Sequence, residues 1–129
     1  MACIVICILL CLSGCRADRT PGISRTKNDN YRTTYEIFVY SFCDSNGDGI
    51  GDLNGIRSKL DYIADLGFDA ILLTPIHPSK TDHKYDVDDY CAIDPSFGTM
   101  KDYETLLKEG HGRGMRVYLD LVLNHTSED

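Results

Sequence analysis

Residues 44–52, which read DSNGDGIGD, carry oxygen-bearing side chains at alternate positions. Alternate side chains of such a loop can converge on one hard cation, and the glycines between them let the backbone turn sharply. This spacing is typical of the start of a calcium-binding loop, to which a backbone carbonyl adds a further ligand. The predicted ligands are Asp44, Asn46, Asp48, Asp52 and the backbone carbonyl of Ile50.

The loop departs from an EF-hand at its twelfth position, where Gly55 replaces the usual glutamate. A strand rather than a helix is predicted to lead into it. We therefore predict an EF-like loop on a β/α connection that binds calcium, with magnesium as the alternative cation. A turn of Asp, Asn and Gly residues without a metal remains the other interpretation.

A second group of side chains with binding chemistry lies in residues 83–90, HKYDVDDY, within a long connection between predicted elements. Connections longer than about 12–15 residues are usually functional or disordered. Tyr85 can stack on a sugar ring, and the carboxylate of Asp86 can accept hydrogen bonds from its hydroxyl groups. From the spacing alone, a solvated acidic loop explains this segment at least as well.

The third group ends a predicted strand, at residues 120–125, DLVLNH. Ligand-binding residues of parallel α/β folds collect at the carboxyl ends of the strands. Asn124 and His125 stand where this strand is predicted to stop, so they are candidates for a binding site. A histidine that only satisfies a turn is the alternative.

Strand patterns place these groups in one fold class. Runs rich in apolar and β-branched residues predict strands over residues 35–42, 68–73 and 115–123. Strands that alternate with helices predict an α/β fold with a parallel sheet, and their apolar sequences predict cover on both faces. Three parallel strands leave two free edges, so we do not expect them to form a complete domain.

Two helices are predicted between the strands. Apolar residues spaced by three and four indicate a helix over residues 53–66, which Gly67 closes with a left-handed cap. The second helix begins at Thr99, where Asp102 three residues later forms a variant of the capping box, and it ends before Gly114.

Composition excludes several classes of protein. The 129 residues include 13 Lys and Arg against 20 Asp and Glu, for a net charge of −7, which argues against a nucleic-acid partner. There is no Trp, so a sugar-stacking surface has to be built from the 8 Tyr and 4 Phe. Only Cys43 and Cys91 lie in the body of the chain. We expect two free thiols rather than a disulfide framework, and a Cys43–Cys91 pair in an extracytoplasmic protein is the alternative.

The N-terminus has the pattern of a bacterial lipoprotein signal. Residues 3–12 read CIVICILLCL, which has the length of a signal-peptide core and is too short to span a bilayer. The following Leu-Ser-Gly-Cys resembles a lipobox that ends at Cys15, although no Lys or Arg precedes the apolar run. We predict a signal peptide over residues 1–14, lipidation of Cys15 and a polar linker over residues 15–31; a buried helix is the alternative.

Taken together, these stretches resemble the α-amylase family of glycoside hydrolases. The resemblance implies a TIM (β/α)8 barrel, of which residues 32–129 form the N-terminal portion, about three β/α units. The matching stretches are residues 35–42, 44–52, 67–75, 83–90, 94–99 and 113–127.

The same resemblance implies roles for the residues at the strand ends. His125 would hydrogen-bond the sugar at the cleavage subsite, Tyr85 would stack on that sugar, and Asp86 would organise the same subsite. Asp120 would be structural, and Asn124 is a calcium ligand in many relatives. Lys84 replaces a glycine of many members, which implies a changed rim of the subsite.

The catalytic carboxylates that the family implies come from later strands. A barrel of this type needs about 250 residues, so we expect this chain to be an inactive fragment of a retaining enzyme acting on α-glucans or maltooligosaccharides. We expect that enzyme to be extracytoplasmic, anchored to a bacterial membrane at the cell surface or in the periplasm. A non-catalytic, calcium-dependent carbohydrate-binding lipoprotein and a decayed gene product are the alternatives.

Overall fold

The computed structural model describes residues 33–128. The predicted signal peptide (residues 1–14), the polar linker (residues 15–31) and the lipidation site Cys15 lie outside the described residues. Three short strands and four helical segments follow one another in the described part. In chain order they are β1 (Thr34–Ile37), α1 (Val39–Phe42), α2 (Leu53–Ser58), α3 (Leu60–Asp65), β2 (Ala70–Leu73), α4 (Met100–Gly112) and β3 (Arg116–Leu119).

The strands form one parallel sheet in the order β1-β2-β3, as the alternation of strand and helix patterns predicted. The register aligns the carboxyl ends of all three strands at one edge. Hydrogen bonds continue beyond them, because the Thr74 amide donates to the Ile37 carbonyl at 3.0 Å and the Asp120 amide donates to the Leu73 carbonyl at 2.9 Å. The segments that follow β2 and β3 therefore start side by side.

Helices cover one face of the sheet and form the core with it. The core consists of large apolar side chains from the strands and helices, and their removal from water stabilises the fold. The opposite face carries Glu36, Leu72 and Tyr118 in one row, and Glu36 and Tyr118 are exposed. The prediction of cover on both faces is thus wrong for β3 within the described residues. The buried core includes Ile37, Leu53, Ile56, Leu60, Ile63, Ile71, Leu73, Phe97 and Leu106.

The first strand ends earlier than predicted. The prediction of a strand over residues 35–42 is wrong after Ile37, because Val39–Phe42 form the helical turn α1. Two contacts explain the change: the Val39 amide donates to the Thr74 hydroxyl at 3.2 Å, and the Gly51 amide donates to the Tyr40 carbonyl at 2.6 Å. Partners distant in sequence override the strand propensity of these residues.

The helix predicted over residues 53–66 consists of two segments, α2 and α3, that join at Lys59. Gly67 follows with a φ of 98°, which confirms the left-handed cap. The Thr99–Asp102 capping box predicted for α4 is present, with both reciprocal bonds formed. None of the helices in residues 33–128 is long and apolar enough to cross a membrane.

Candidate functional site

The long connection between β2 and α4 is ordered by backbone hydrogen bonds. The Asp94 amide donates to the Ile76 carbonyl and the Asp88 amide donates to the Pro78 carbonyl, each at 2.9 Å. These bonds fold the connection back on itself next to the carboxyl end of β2. The segment that carries the predicted sugar-binding residues is therefore a fixed loop rather than a solvated tail.

Tyr85 connects this loop to the end of the third strand. Its hydroxyl donates to Asp120 Oδ2 at 2.6 Å, across 35 residues of sequence. The hydrogen bond to Asp120, together with partial burial and the negative charges of Asp120 and Glu36, raises the pKa of Tyr85. The phenol stays protonated at neutral pH, and Tyr85 as a whole remains 37% exposed, so a ligand can reach it.

Asp86 lies in the same loop with its carboxylate held by hydroxyl groups. Ser79 Oγ donates to Asp86 Oδ1 at 2.5 Å, and the Thr81 hydroxyl donates to the same oxygen. Donation from Ser79, then from Thr81, lowers the pKa of Asp86 and keeps the group ionised. Both of these bonds reach Oδ1, and a carboxylate has lone pairs on both oxygens, so Asp86 can also accept from a hydroxyl of a ligand.

Tyr90 ties the loop to the residues after β3. Its hydroxyl donates to the carbonyls of Val122 and His125, the latter at 3.0 Å, and the Ser127 amide donates to the Val87 carbonyl at 3.1 Å. Asn124 and His125 themselves have exposed side chains. The structure thus brings Tyr85 and Asp120 into direct contact, and it holds His125 against the same loop through its backbone.

Sequence reasoning missed Tyr90 as the residue that makes this connection. A signal was present, because Tyr90 closes the Tyr- and Asp-rich run in which Tyr85 was singled out. His77 was also missed: it is buried beside the Tyr90 ring, and its Nδ1 lies 2.9 Å from the Ala92 carbonyl. In the described residues, His77 Nε2 is a buried side-chain atom without a hydrogen-bond partner.

The Lys84 side chain does not lie on the exposed surface of this loop. Its side chain is buried beneath the loop, with Nζ 2.7 Å from Asp94 Oδ2. The residue is 7% exposed, whereas the neighbouring Tyr85 is 37% exposed. The two consecutive side chains therefore point to opposite sides of the loop.

The predicted metal loop follows α1 and is shaped by its own carboxylates. Asp44 Oδ1 accepts the amides of Asn46 at 2.9 Å and Gly47 at 2.7 Å, and Asp44 Oδ2 accepts the Gly49 amide at 2.8 Å. The Gly49 and Gly47 amides are the main reason that the pKa of Asp44 is lowered. Gly47 and Gly49 have φ values of 85° and 89°, so the sharp turns that the sequence predicted are present.

The remaining predicted ligands also form hydrogen bonds within the protein. Asp48 Oδ1 accepts the Ile50 amide at 2.8 Å, and Asp48 Oδ2 accepts the Asn46 side-chain amide at 3.0 Å. Asp52 is buried, and it caps α2 by accepting the Gly55 amide at 2.7 Å while also accepting from Ser45. Its capping role was not predicted, although an Asp directly before the helical pattern signals an N-cap.

The fit of these residues to calcium can be judged from the oxygens that the loop presents. No group of three or more His, Cys, Asp or Glu side chains in residues 33–128 is already gathered around one point. The loop nevertheless combines ionised carboxylates, an amide oxygen and a backbone carbonyl, which is the donor set of a hard cation. Asp44 and Asp48 are exposed, so their carboxylates are accessible to a cation.

Most of this chain is similar to proteins of a known family. Residues 36–129 match the model of the family described as alpha amylase, catalytic domain. Alpha-amylase SusG of Bacteroides thetaiotaomicron is 52% identical over 93 residues, which are 72% of this chain and 13% of SusG. Oligo-1,6-glucosidase of Bacillus cereus is 55% identical over 96 residues, which are 74% of this chain and 17% of that protein.

Solved structures show the same likeness in three dimensions. Eubacterium rectale Amy13B superposes with a TM-score of 0.75 at 56% identity, over 76% of this chain and 19% of that protein. The alpha-amylase from H. orenii has a TM-score of 0.74 at 52% identity, over 78% of this chain and 22% of that protein. The chain thus spans about a fifth or less of most of these relatives, and the predicted fold class, the N-terminal portion of a TIM (β/α)8 barrel, is confirmed.

Proposed function

Because this chain belongs to the α-amylase family of glycoside hydrolases, we propose that it supplies the first sugar-binding loops of an enzyme that cleaves α-glucosidic bonds. The substrates would be starch-like glucans or oligosaccharides. The observation that carries this proposal is the hydrogen bond between Tyr85 and Asp120, which fixes an exposed aromatic ring at the carboxyl ends of the strands. Binding residues of barrel enzymes collect at this end.

The carboxylates near Tyr85, those of Asp86 and Asp120, are better suited to binding a sugar than to transferring a proton. A glycosidase needs a carboxylic acid whose pKa is raised, so that it can protonate the leaving group. Donation from Ser79 and Thr81 instead lowers the pKa of Asp86, which suits an acceptor of sugar hydroxyls. Asp120 is engaged by the Tyr85 hydroxyl. We therefore propose that the nucleophile and the acid/base of a retaining mechanism come from strands of the barrel beyond residue 129.

The test compares the complete enzyme with the 129-residue chain, using maltopentaose and measuring the release of reducing ends. We expect hydrolysis by the complete enzyme and none by the chain, because three strands cannot bring two catalytic carboxyls to the separation of about 5–5.5 Å that retention requires. Cleavage by the purified chain would contradict our placement of the catalytic pair. Sugar binding by the complete protein without cleavage would favour the carbohydrate-binding alternative.

We further propose that the loop of residues 44–52 binds calcium, with magnesium as a weaker substitute. Asp44, Asn46 and Asp48 would supply side-chain oxygens and Ile50 its carbonyl. Asp52, the fifth predicted ligand, is buried, and both of its carboxylate oxygens already accept hydrogen bonds from Ser45 or Gly55, so it would have to exchange one of these bonds for the ion. The exposed position of the loop and the low pKa of Asp44 support the proposal, since an ionised carboxylate needs no deprotonation before it binds a cation. The ion would stiffen the loop between α1 and α2.

The N-terminal sequence supports a proposal about location. We propose that the mature protein begins at Cys15, carries lipid on that thiol, and is held at a bacterial membrane outside the cytoplasm. More than one acyl chain is needed for stable anchoring, which a lipidated N-terminal cysteine provides. In cells, Cys15→Ser is expected to remove the protein from the carbonate-washed membrane fraction. The protein should then appear in the soluble fraction or as an uncleaved precursor of higher mass. An unchanged membrane fraction would contradict the anchor.

A further inference from the structure

Lys84 has a backbone conformation that few side chains adopt, directly before Tyr85. Its φ of 61° lies in the left-handed region, and within residues 33–128 it is the non-glycine residue with a positive φ. A side chain in this region is strained, and the conformation persists only where surrounding contacts impose it. The contacts made by the Lys84 side chain must therefore stabilise this conformation.

The Lys84 ammonium is buried among three partners. Nζ lies 2.7 Å from Asp94 Oδ2, donates to the Ser79 carbonyl at 3.0 Å, and sits 5.4 Å from the centre of the Phe97 ring. The side chains of Lys84 and Asp94 are only 9% and 10% exposed. Removing one member of such a pair leaves a buried charge without compensation, so the pair resists separation.

Asp94 is itself fixed firmly enough to serve as an anchor. Its Oδ1 accepts both the amide of Ser96 at 2.9 Å and the hydroxyl of Ser96 at 2.5 Å. Its own amide donates to the Ile76 carbonyl at 2.9 Å, directly after β2. The adjacent Phe97 is almost fully buried in the core. The carboxylate that Lys84 reaches therefore belongs to the rigid base of the loop.

Lys84 also connects the two ends of the turn that presents Tyr85 and Asp86. At one end it precedes Tyr85 in the chain. At the other end its Nζ binds the carbonyl of Ser79, whose hydroxyl donates to Asp86 Oδ1 at 2.5 Å. The Lys84 side chain thus joins the backbone of Ser79, whose hydroxyl supports Asp86, to the point in the chain directly before Tyr85.

We propose that Lys84 is a positioning residue, whose ion pair with Asp94 locks the turn of residues 79–86 so that Tyr85 and Asp86 meet the sugar already in place. Glycine would accept the same φ without strain but could not make the anchor. Preorganisation increases apparent affinity because a larger fraction of molecules is competent to bind. This inference rests on the proposed function.

The test uses variants of the complete enzyme. Lys84→Met keeps the aliphatic stem and removes the charge, Asp94→Asn keeps the shape of its partner, and the double variant leaves no buried charge unpaired. Lys84→Gly relieves the backbone strain while removing the anchor. Lys108→Met, at an exposed position of α4, is the matched control. The readouts are amide hydrogen exchange in residues 79–88 and kcat/KM for maltopentaose.

In Lys84→Met and Lys84→Gly we expect exchange in residues 79–88 to accelerate and kcat/KM to fall, each about tenfold, as the competent fraction drops. Exchange in α4 and all properties of Lys108→Met should stay at wild-type values. Asp94→Asn should act in the same direction, and the double variant should lose no more than the worse single variant, because the two residues act as one unit. The double variant also covers the case in which a lone buried charge prevents folding.

The outcomes separate the two levels of the proposal. Wild-type exchange and wild-type kcat/KM in Lys84→Met would overturn the positioning role of Lys84 alone. Faster exchange with wild-type kcat/KM would overturn it as well, because the turn would then be irrelevant to the sugar. Absence of hydrolysis by the wild-type complete enzyme would instead overturn the proposed function.

Discussion

Replacement of Asp86 by alanine is expected to lower kcat/KM of the complete enzyme for maltopentaose about 100-fold, because a hydrogen bond from a sugar hydroxyl to a carboxylate contributes up to about 3 kcal/mol. The expectation follows from the geometry of the group. Ser79 and Thr81 donate to Oδ1 and hold the carboxylate in place, so that it can accept from the ligand. Asp86→Asn keeps the shape without the charge and should lose less, about tenfold.

Asp88→Ala is the matched control for Asp86, since Asp88 is an exposed acid two residues further along the same loop. It should retain wild-type activity, which separates a specific contact from the general charge of the segment. The lowered pKa of Asp86 also predicts a pH dependence. The contribution of its charged carboxylate to kcat/KM is complete at a pH above the ordinary carboxyl pKa, and it is lost only as the pH falls through the lowered pKa. Wild-type kcat/KM in Asp86→Ala would remove this residue from the site.

Calcium is expected to raise the melting temperature of the complete protein by several degrees, and Asp48→Ala is expected to abolish that rise. At calcium one hundred times its dissociation constant, binding to the folded state alone adds about 2.7 kcal/mol to the free energy of unfolding. Titration calorimetry should show binding to the wild type and none to Asp44→Ala or Asp48→Ala. Asp82→Ala, an exposed acid outside the loop, should bind as the wild type does.

Asp52 distinguishes binding of the metal from stability of the loop. Asp52 caps α2 through the Gly55 amide and accepts from Ser45. Asp52→Ala should therefore lower the free energy of unfolding by about 2 kcal/mol even when a chelator has removed calcium, and the melting temperature should fall accordingly. Asp48→Ala, at an exposed position, should leave the chelated protein close to wild type. Equal calcium affinity in the wild type and Asp48→Ala would contradict the metal site.

The features that the sequence predicted well depend on neighbours along the chain. The Thr99–Asp102 capping box joins residues three apart, and the turns at Gly47 and Gly49 follow from local Asp and Asn side chains. The parallel order of the strands was also predictable, because the connections between them carry helix patterns. These signals are contained in short windows of sequence.

The features that it did not predict depend on partners far along the chain. Val39 leaves the strand pattern because Thr74, 35 residues away, takes its amide. The burial of Lys84 requires the fold to bring Asp94 and Phe97 beneath it, and a lysine in an acidic loop is ordinarily expected at the surface. Tyr90 connects to His125 across the same distance of 35 residues. Tertiary structure alone creates these contacts.

The order of the strands has a consequence for synthesis. Each strand pairs with the one that precedes it in the chain, so no strand has to wait for a later segment to be inserted between it and its neighbour. As the polypeptide leaves the ribosome, β2 can add to β1 and β3 can add to β2, with each helix covering the newly formed piece. Because synthesis runs from the N-terminus, the order of the strands in the chain is also the order in which they become available to pair. This region can accordingly act as the template onto which further strands are added one after another.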